Sequence, residues 1–160
     1  RSLGSLQGPG GRLSVVVAAG ENPGLPDPTA EKNGRFSDGR AVAFTSRVYA
    51  LDAATGEPTG WEFRPPTYRS PAASGDKFPV HLCLPQAWSG ATVGGDGTVY
   101  LGHMNGKLYA LRDADGDGKL SMDGGEVTEF DGSRCYQGSP GVAPGLLVAT
   151  PCDGMYVFTA

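Results

Sequence analysis

An all-β fold built from repeated four-stranded antiparallel units is what this sequence predicts, and three observations predict it. A short phrase returns three times: Val48-Tyr49-Ala50-Leu51-Asp52, Lys107-Leu108-Tyr109-Ala110-Leu111, and Met155-Tyr156-Val157-Phe158. Short apolar runs alternate with turn residues, with 26 Gly and 13 Pro among 160 residues. No 3.6-residue apolar period lasts beyond one turn, so helix is not expected. A unit of this size cannot bury both of its own faces. It must stack on neighbours, and the repeat therefore constrains fold and assembly together.

Taken in order, residues 1–10 read as an irregular lead-in. Leu13 to Ala19 carries the longest apolar run and reads as a strand. Residues 20–39 are rich in Pro, Asn, Asp and Gly and read as a surface loop. Ala41-Val42-Ala43-Phe44 and Arg47 to Leu51 read as a hairpin pair, and Trp61-Glu62-Phe63 closes this first unit, residues 11–63. A Pro-punctuated linker follows, residues 64–87.

The second unit, residues 88–130, is the clearest. Ala91 to Val93, Thr98 to Leu101, Lys107 to Leu111 and Val127 to Phe130 are its strands. Gly94-Gly95-Asp96-Gly97 and His103-Met104-Asn105-Gly106 are its tight turns, and Asn-Gly between alternating strands signals a hairpin. The third unit, residues 131–160, is partial, with strands at Gly141 to Ala143, Leu146 to Ala149 and Met155 to Phe158. Alignment of the units places Tyr49, Tyr109 and Tyr156 together. It also places Val99 with Leu147, Ser89 with Ser139, and Trp61-Glu62-Phe63 with Thr128-Glu129-Phe130. The whole chain reads as a single all-β repeat domain. Four short antiparallel strands per unit is the pattern of a propeller blade.

Composition narrows the function. Net charge is -4 and no basic cluster exists, which argues against nucleic acid as a partner, because phosphate neutralisation needs grouped Lys and Arg. No run of roughly 18 apolar residues is present to form a transmembrane helix. The chain begins with Arg1, and a processed chain or a piece of a longer one is expected.

The stretch Gly95-Asp96-Gly97-Thr98-Val99-Tyr100-Leu101-Gly102-His103-Met104-Asn105-Gly106-Lys107-Leu108-Tyr109-Ala110-Leu111 resembles the repeat of the PQQ-like, quinoprotein-alcohol-dehydrogenase-like β-propellers. So does Val48-Tyr49-Ala50-Leu51-Asp52-Ala53-Ala54-Thr55-Gly56-Glu57 followed by Trp61. The resemblance covers roughly residues 40–63 and 87–158. It implies about three blades of a propeller that closes with more. Such a chain is either part of a larger propeller or covered by a partner. The repeat serves quinone-dependent dehydrogenases, assembly scaffolds and sensor domains alike, so the fold does not decide among them. The vicinal cysteine pair that some quinone enzymes carry is missing, and neither PQQ nor catalysis is expected.

Between the last two strands of the second unit lies an acidic insertion, residues 113–126. It resembles the calcium loop of EF-hands. Asp113, Asp115 and Asp117 at alternate positions can converge on one cation if Gly118 permits the sharp turn. Lys119 would offer its backbone carbonyl, and Ser121 would ligate directly or through water. Leu120 would anchor the loop to the core. The twelfth position is Gly124 where a bidentate Glu is usual, so Asp123 or Glu126 would have to substitute. A structural calcium ion is expected. The opposing reading is a solvated acidic turn whose charges repel one another.

Three cysteines are present, Cys83, Cys135 and Cys152. Cys135 precedes the first strand of its unit, and Cys152 lies in the turn between the second and third strands. Those connections fall at one end of an antiparallel unit, so a Cys135–Cys152 disulfide is topologically reasonable. In the chain-entropy picture it would contribute about 3 kcal/mol. Three reduced buried thiols is the alternative. His81 and His103 have no second ligand at metal spacing. Ser89 and Ser139 lack the context of a nucleophile. Trp61, Phe63 and Trp88 are expected to pack between units.

The functional expectation is a non-enzymatic, calcium-stabilised scaffold that docks to other protein subunits, a membrane complex included. The loop 20–39 and the linker 64–87 are its expected contact segments. The alternatives are a fragment of a PQQ-dependent dehydrogenase or a ligand-binding sensor. Calcium and a disulfide both point to an extracytosolic space, such as a periplasm, an organelle lumen or the exterior.

Overall fold

The computed structural model describes residues 3–7, 12–20, 46–67 and 88–160. All the regular structure within them is β, in twelve strands. In chain order these are β1 Leu3–Gln7, β2 Leu13–Gly20, β3 Ser46–Asp52, β4 Pro58–Phe63, β5 Thr92–Val93, β6 Val99–Gly102, β7 Lys107–Leu111, β8 Lys119–Leu120, β9 Val127–Asp131, β10 Gly141–Ala143, β11 Leu146–Ala149 and β12 Tyr156–Thr159. They form three sheets. The first runs β1-β2-β3-β4-β8, the second β5-β6-β7-β9, and the third β10-β11-β12. Apart from the parallel β4–β8 pair, every pairing is antiparallel. Among the described residues no helix is long and apolar enough to cross a membrane.

The alignment of units survives as register. Tyr49 pairs with Val17 and Glu62, while Tyr109 pairs with Leu101 and Glu129. Tyr156 pairs with Ala149. Two residues before each of the first two tyrosines stands a cation that reaches the equivalent glutamate. Arg47 lies 3.9 Å from Glu62, and Lys107 pairs with Glu129. Half-exposed cross-strand pairs of this kind contribute at most about 1 kcal/mol, so they reinforce the register more than they create it.

Two expectations for the first unit need correction. Residues 3–7 are not an irregular lead-in: they form β1, paired along its length with β2. Gly4 and Ser5 have poor strand propensity, and the adjoining Val-rich β2 overrides it by supplying a ladder partner. The first sheet therefore begins ahead of residue 11. Arg47 to Leu51 does form a strand, but its neighbours are β2 and β4. Gly20 sits opposite Ser46, so the loop leaves and re-enters the sheet at one point. Ala41–Phe44, most of the loop 20–39, the linker from 68 to 87, His81 and Cys83 lie outside the described residues.

Stacking follows from the side-chain alternation of the middle sheet. On β7, Tyr109 and Leu111 point one way and join Val16, Val48 and Phe63 of the first sheet in one buried cluster. Leu108 points the other way and packs with Tyr136 and Ala149 of the third unit. Each fully buried side chain of this size contributes about 1.5–3 kcal/mol, which only a neighbour on both faces can supply. Trp61 and Trp88 pack against the first cluster, with Trp88 and Phe63 both against the Tyr109 ring at 5.6 and 5.4 Å between centroids. Phe130 meets Tyr156 and Phe158 edge-on across the second interface. Strand β5 lies beside both β1 and β10.

Tyr136 is the wedge between the second and third sheets. It is fully buried and fits only because Gly102 and Gly132 have no side chains. A Cβ on Gly102 would stand 2.1 Å from the Cβ of Tyr136, and one on Gly132 would stand 2.2 Å from its hydroxyl. That hydroxyl has no hydrogen-bond partner in the structure. Burial pushes the phenol up from 10.0 to about 12. The unfolded chain ionises this phenol first, so its contribution is complete below pH 10 and is lost as pH rises from 10 towards 12. Wild-type stability is expected to fall there by about 2–3 kcal/mol more than that of Tyr136→Phe. Below pH 9 the substitution should be neutral or stabilising, since it removes an unpaired buried hydroxyl. Urea unfolding across the pH range checks both points, and parallel curves for the two proteins would refute the expectation.

Candidate metal centre

In the first sheet the turn between β3 and β4 is short. Asp52 caps it by accepting the N–H groups of Thr55 and Ala54 at 2.9 Å each. Those bonds, Thr55 first, hold its carboxyl below the usual range. In the second sheet the equivalent connection is the insertion 113–126. Each of its first carboxylates likewise caps a local turn. Asp113 accepts from Gly116 and Gly118 at 2.8 and 3.1 Å. Asp115 accepts from Asp117 at 3.0 Å, and Asp117 from Lys119 at 2.6 Å. The chain folds back at Gly118, where φ is +78°. This is a conformation that costs an L-residue but not glycine.

These bonds turn the side chains of Asp113, Asp115 and Asp117 to one place, where one oxygen from each lies within 4.8 Å of the others. Asp115 and Asp117 are exposed and Asp113 half-buried. At water's dielectric each pair repels by about 1 kcal/mol, a load the capping bonds can carry without a cation. Three hard oxygens suit calcium or magnesium better than a soft transition metal.

The remaining expected ligands have other placements. Glu126 is buried, at 7% exposure. Its Oε1 accepts from Ala114 N–H at 3.0 Å and its Oε2 from Ser121 N–H at 3.3 Å. It clamps the two ends of the loop together. Ser121 Oγ accepts from Asp123 N–H at 3.2 Å, in a separate exposed turn. Lys119 lies in β8, opposite Glu62.

Strand β8 has no counterpart in the sequence reading. Lys119 and Leu120 pair in parallel with Glu62 and Phe63 of β4, and Glu62 N–H donates to Gly118 O at 2.8 Å. Leu120 is buried in the cluster between the first two sheets, as an anchor should be. The loop is thus a brace: it leaves the second sheet and docks on the edge of the first. A two-residue parallel pairing has no periodicity of its own, and the hydrophobic Leu120 inside an acidic run was its one sequence signal.

The other candidates have structural surroundings. His103 is buried at 2% exposure. Its Nδ1 accepts from Asn105 N–H at 3.1 Å, its Nε2 lies 3.4 Å from Ser46 Oγ, and its ring meets Trp88 edge-on at 4.3 Å. An accepting Nδ1 assigns the ring to the Nε2–H tautomer. Ser89 is buried and its Oγ accepts from Gly102 N–H at 2.8 Å, whereas Ser139 is exposed. Cys135 and Cys152 are brought together, with their sulfurs 3.1 Å apart. No family model matches the chain, and no curated protein matches it.

Proposed function

We propose that this chain is a non-enzymatic scaffold made of PQQ-like propeller blades, ordered by calcium and docked to other protein subunits outside the cytosol. One observation carries the docking reading. The middle sheet is buried on both faces, whereas the third sheet leaves Met155, Val157 and Leu146 at 64%, 52% and 38% exposure. A stacked unit needs a neighbour on each side, and among the described residues this one has no second. The side-by-side run of β1, β5 and β10 supports a radial arrangement of blades about an inner edge. The test is native mass spectrometry, in calcium, of the material isolated from the cells that make it. A mass well above 16.5 kDa that resolves into unlike chains is expected. A lone chain would overturn the proposal.

Calcium would take the three converging carboxylates, and by ordering the loop it would strengthen the brace between the first two sheets. Saturating calcium is expected to raise Tm by roughly 5–10 °C, as occupancy near a hundredfold above Kd stabilises by about 2.7 kcal/mol. The Asp115→Asn/Asp117→Asn variant should fold, because an amide oxygen still accepts the capping N–H bonds, and should lose the calcium response. Calorimetry with calcium and with a chelator checks this. An unshifted wild-type transition, or an equal shift in the variant, would remove calcium from the reading.

A further inference from the structure

We propose that Cys135 and Cys152 form a reversible disulfide that fastens the third sheet, and that oxidation enters through Cys152. Cys152 N–H donates to Cys135 O at 2.9 Å, and the adjoining residues Tyr136 and Pro151 form an antiparallel bridge. The two cysteines are therefore cross-strand neighbours. Such neighbours stand about 4.5–5.5 Å apart at Cα, inside the range a disulfide spans. Their sulfurs are already in contact at 3.1 Å, so bond formation needs side-chain rotation and no rearrangement of the chain. The neighbouring Arg134 and Asp153 make a 3.2 Å ion pair that is half exposed, worth at most about a factor of five.

Exposure sets the order of events. Cys152 is exposed and Cys135 is completely buried. The thiolate of Cys152 attacks one sulfur of an external low-molecular-weight disulfide and releases one thiolate. The thiolate of Cys135 then attacks Cys152 Sγ and expels the second. Two protein thiols are oxidised, one external disulfide is reduced to two thiols, and the two protons leave with the released groups. Because Tyr136 follows Cys135 and is wedged against Gly102 and Gly132, the bond would fasten the segment that holds the third sheet to the second.

The test uses the whole chain with oxidised glutathione, followed by alkylation and peptide mapping without reductant. The expected result is a Cys135–Cys152 linked pair, a protein two hydrogens lighter, and recovery of both thiols with dithiothreitol. Cys135→Ser should accumulate glutathione on Cys152, whereas Cys152→Ser should leave Cys135 unmodified. Amide exchange at Tyr136 and Ala149 should slow by about tenfold to a hundredfold on oxidation. A link from Cys83 to either residue, glutathione retained on Cys152 of the unsubstituted chain, two alkylated thiols, or unchanged exchange would each overturn the proposal. The unsubstituted chain decides it even if a variant fails to fold.

Discussion

Gly102→Ala is expected to destabilise the protein by about 3 kcal/mol, the upper range for overpacking a dense core. The added methyl would overlap the Cβ and Cγ of Tyr136, at 2.1 and 2.4 Å. Neither atom is the far end of a flexible side chain, so the overlap cannot be relieved by a rotamer change. Either β6 moves, and with it the Ser89 hydroxyl that accepts the Gly102 N–H, or Tyr136 leaves its slot and the third sheet separates from the second. For a chain of this length the change corresponds to a Tm lower by roughly 6–12 °C. Gly95→Ala is the control, since nothing lies within 4 Å of the added atom. It should stay within about 0.5 kcal/mol of wild type. Equal urea midpoints for the two variants would show that Tyr136 does not occupy this slot.

The second large effect is expected at Glu126. Its carboxylate pairs the N–H groups of Ala114 and Ser121 at a site with 7% exposure. Glu126→Ala strands both donors and should cost about 2–4 kcal/mol, because bonds to a charged acceptor are worth about 1.5–3 kcal/mol each and the 3.3 Å bond is the weaker. Glu126→Gln keeps one acceptor and should lose less than half of that. The comparison belongs in chelator, where a ligand role would be silent and a clamp would not. Faster amide exchange at Ala114 and Ser121 should accompany the loss. A Glu126→Ala protein as stable as wild type without divalent cations would refute the clamp.

How legible the molecule was differs from element to element. Lys107 to Leu111, with its Asn105-Gly106 turn and apolar alternation, could be placed to the residue. There the local signals of turn, period and composition agree, and the tertiary environment adds burial on both faces without changing the assignment. The repeat marked Tyr49 and Tyr109, and Glu62 and Glu129, as equivalent positions, and the structure adds that each tyrosine faces its glutamate across the ladder. The first sheet was harder. Leu3–Gln7 carries no strand signal of its own, and its place comes from the ladder that β2 offers it. The partner of β3 was obscured because the true neighbour, β2, lies beyond a long insertion, whereas local reading favours the adjacent segment.

The candidate site divides in the same way. Alternate aspartates with a glycine after the third specify their own turns through side chain–backbone bonds, so their convergence is a local property that the sequence states directly. The roles of Glu126 and Leu120 are not local. Glu126 was legible as an acid, and only the closure of the loop on itself turns its two oxygens inward onto Ala114 and Ser121. Leu120 was legible as an anchor, and only the position of β4 decides what it anchors to.

By itself, then, the sequence determined that the chain is all-β, where most of its strands lie, which residues occupy equivalent places in successive units, and that three aspartates share one point. These depend on periods of two, on turn chemistry and on contacts between residues near in sequence. Only the tertiary structure decided that the acidic loop braces the first sheet, that Tyr136 fills a slot left by two glycines, and that the sulfurs of Cys135 and Cys152 touch. Each of these joins segments far apart in the chain. Their side chains carry no periodic mark of the partner they will meet, so the match exists only once the sheets have stacked.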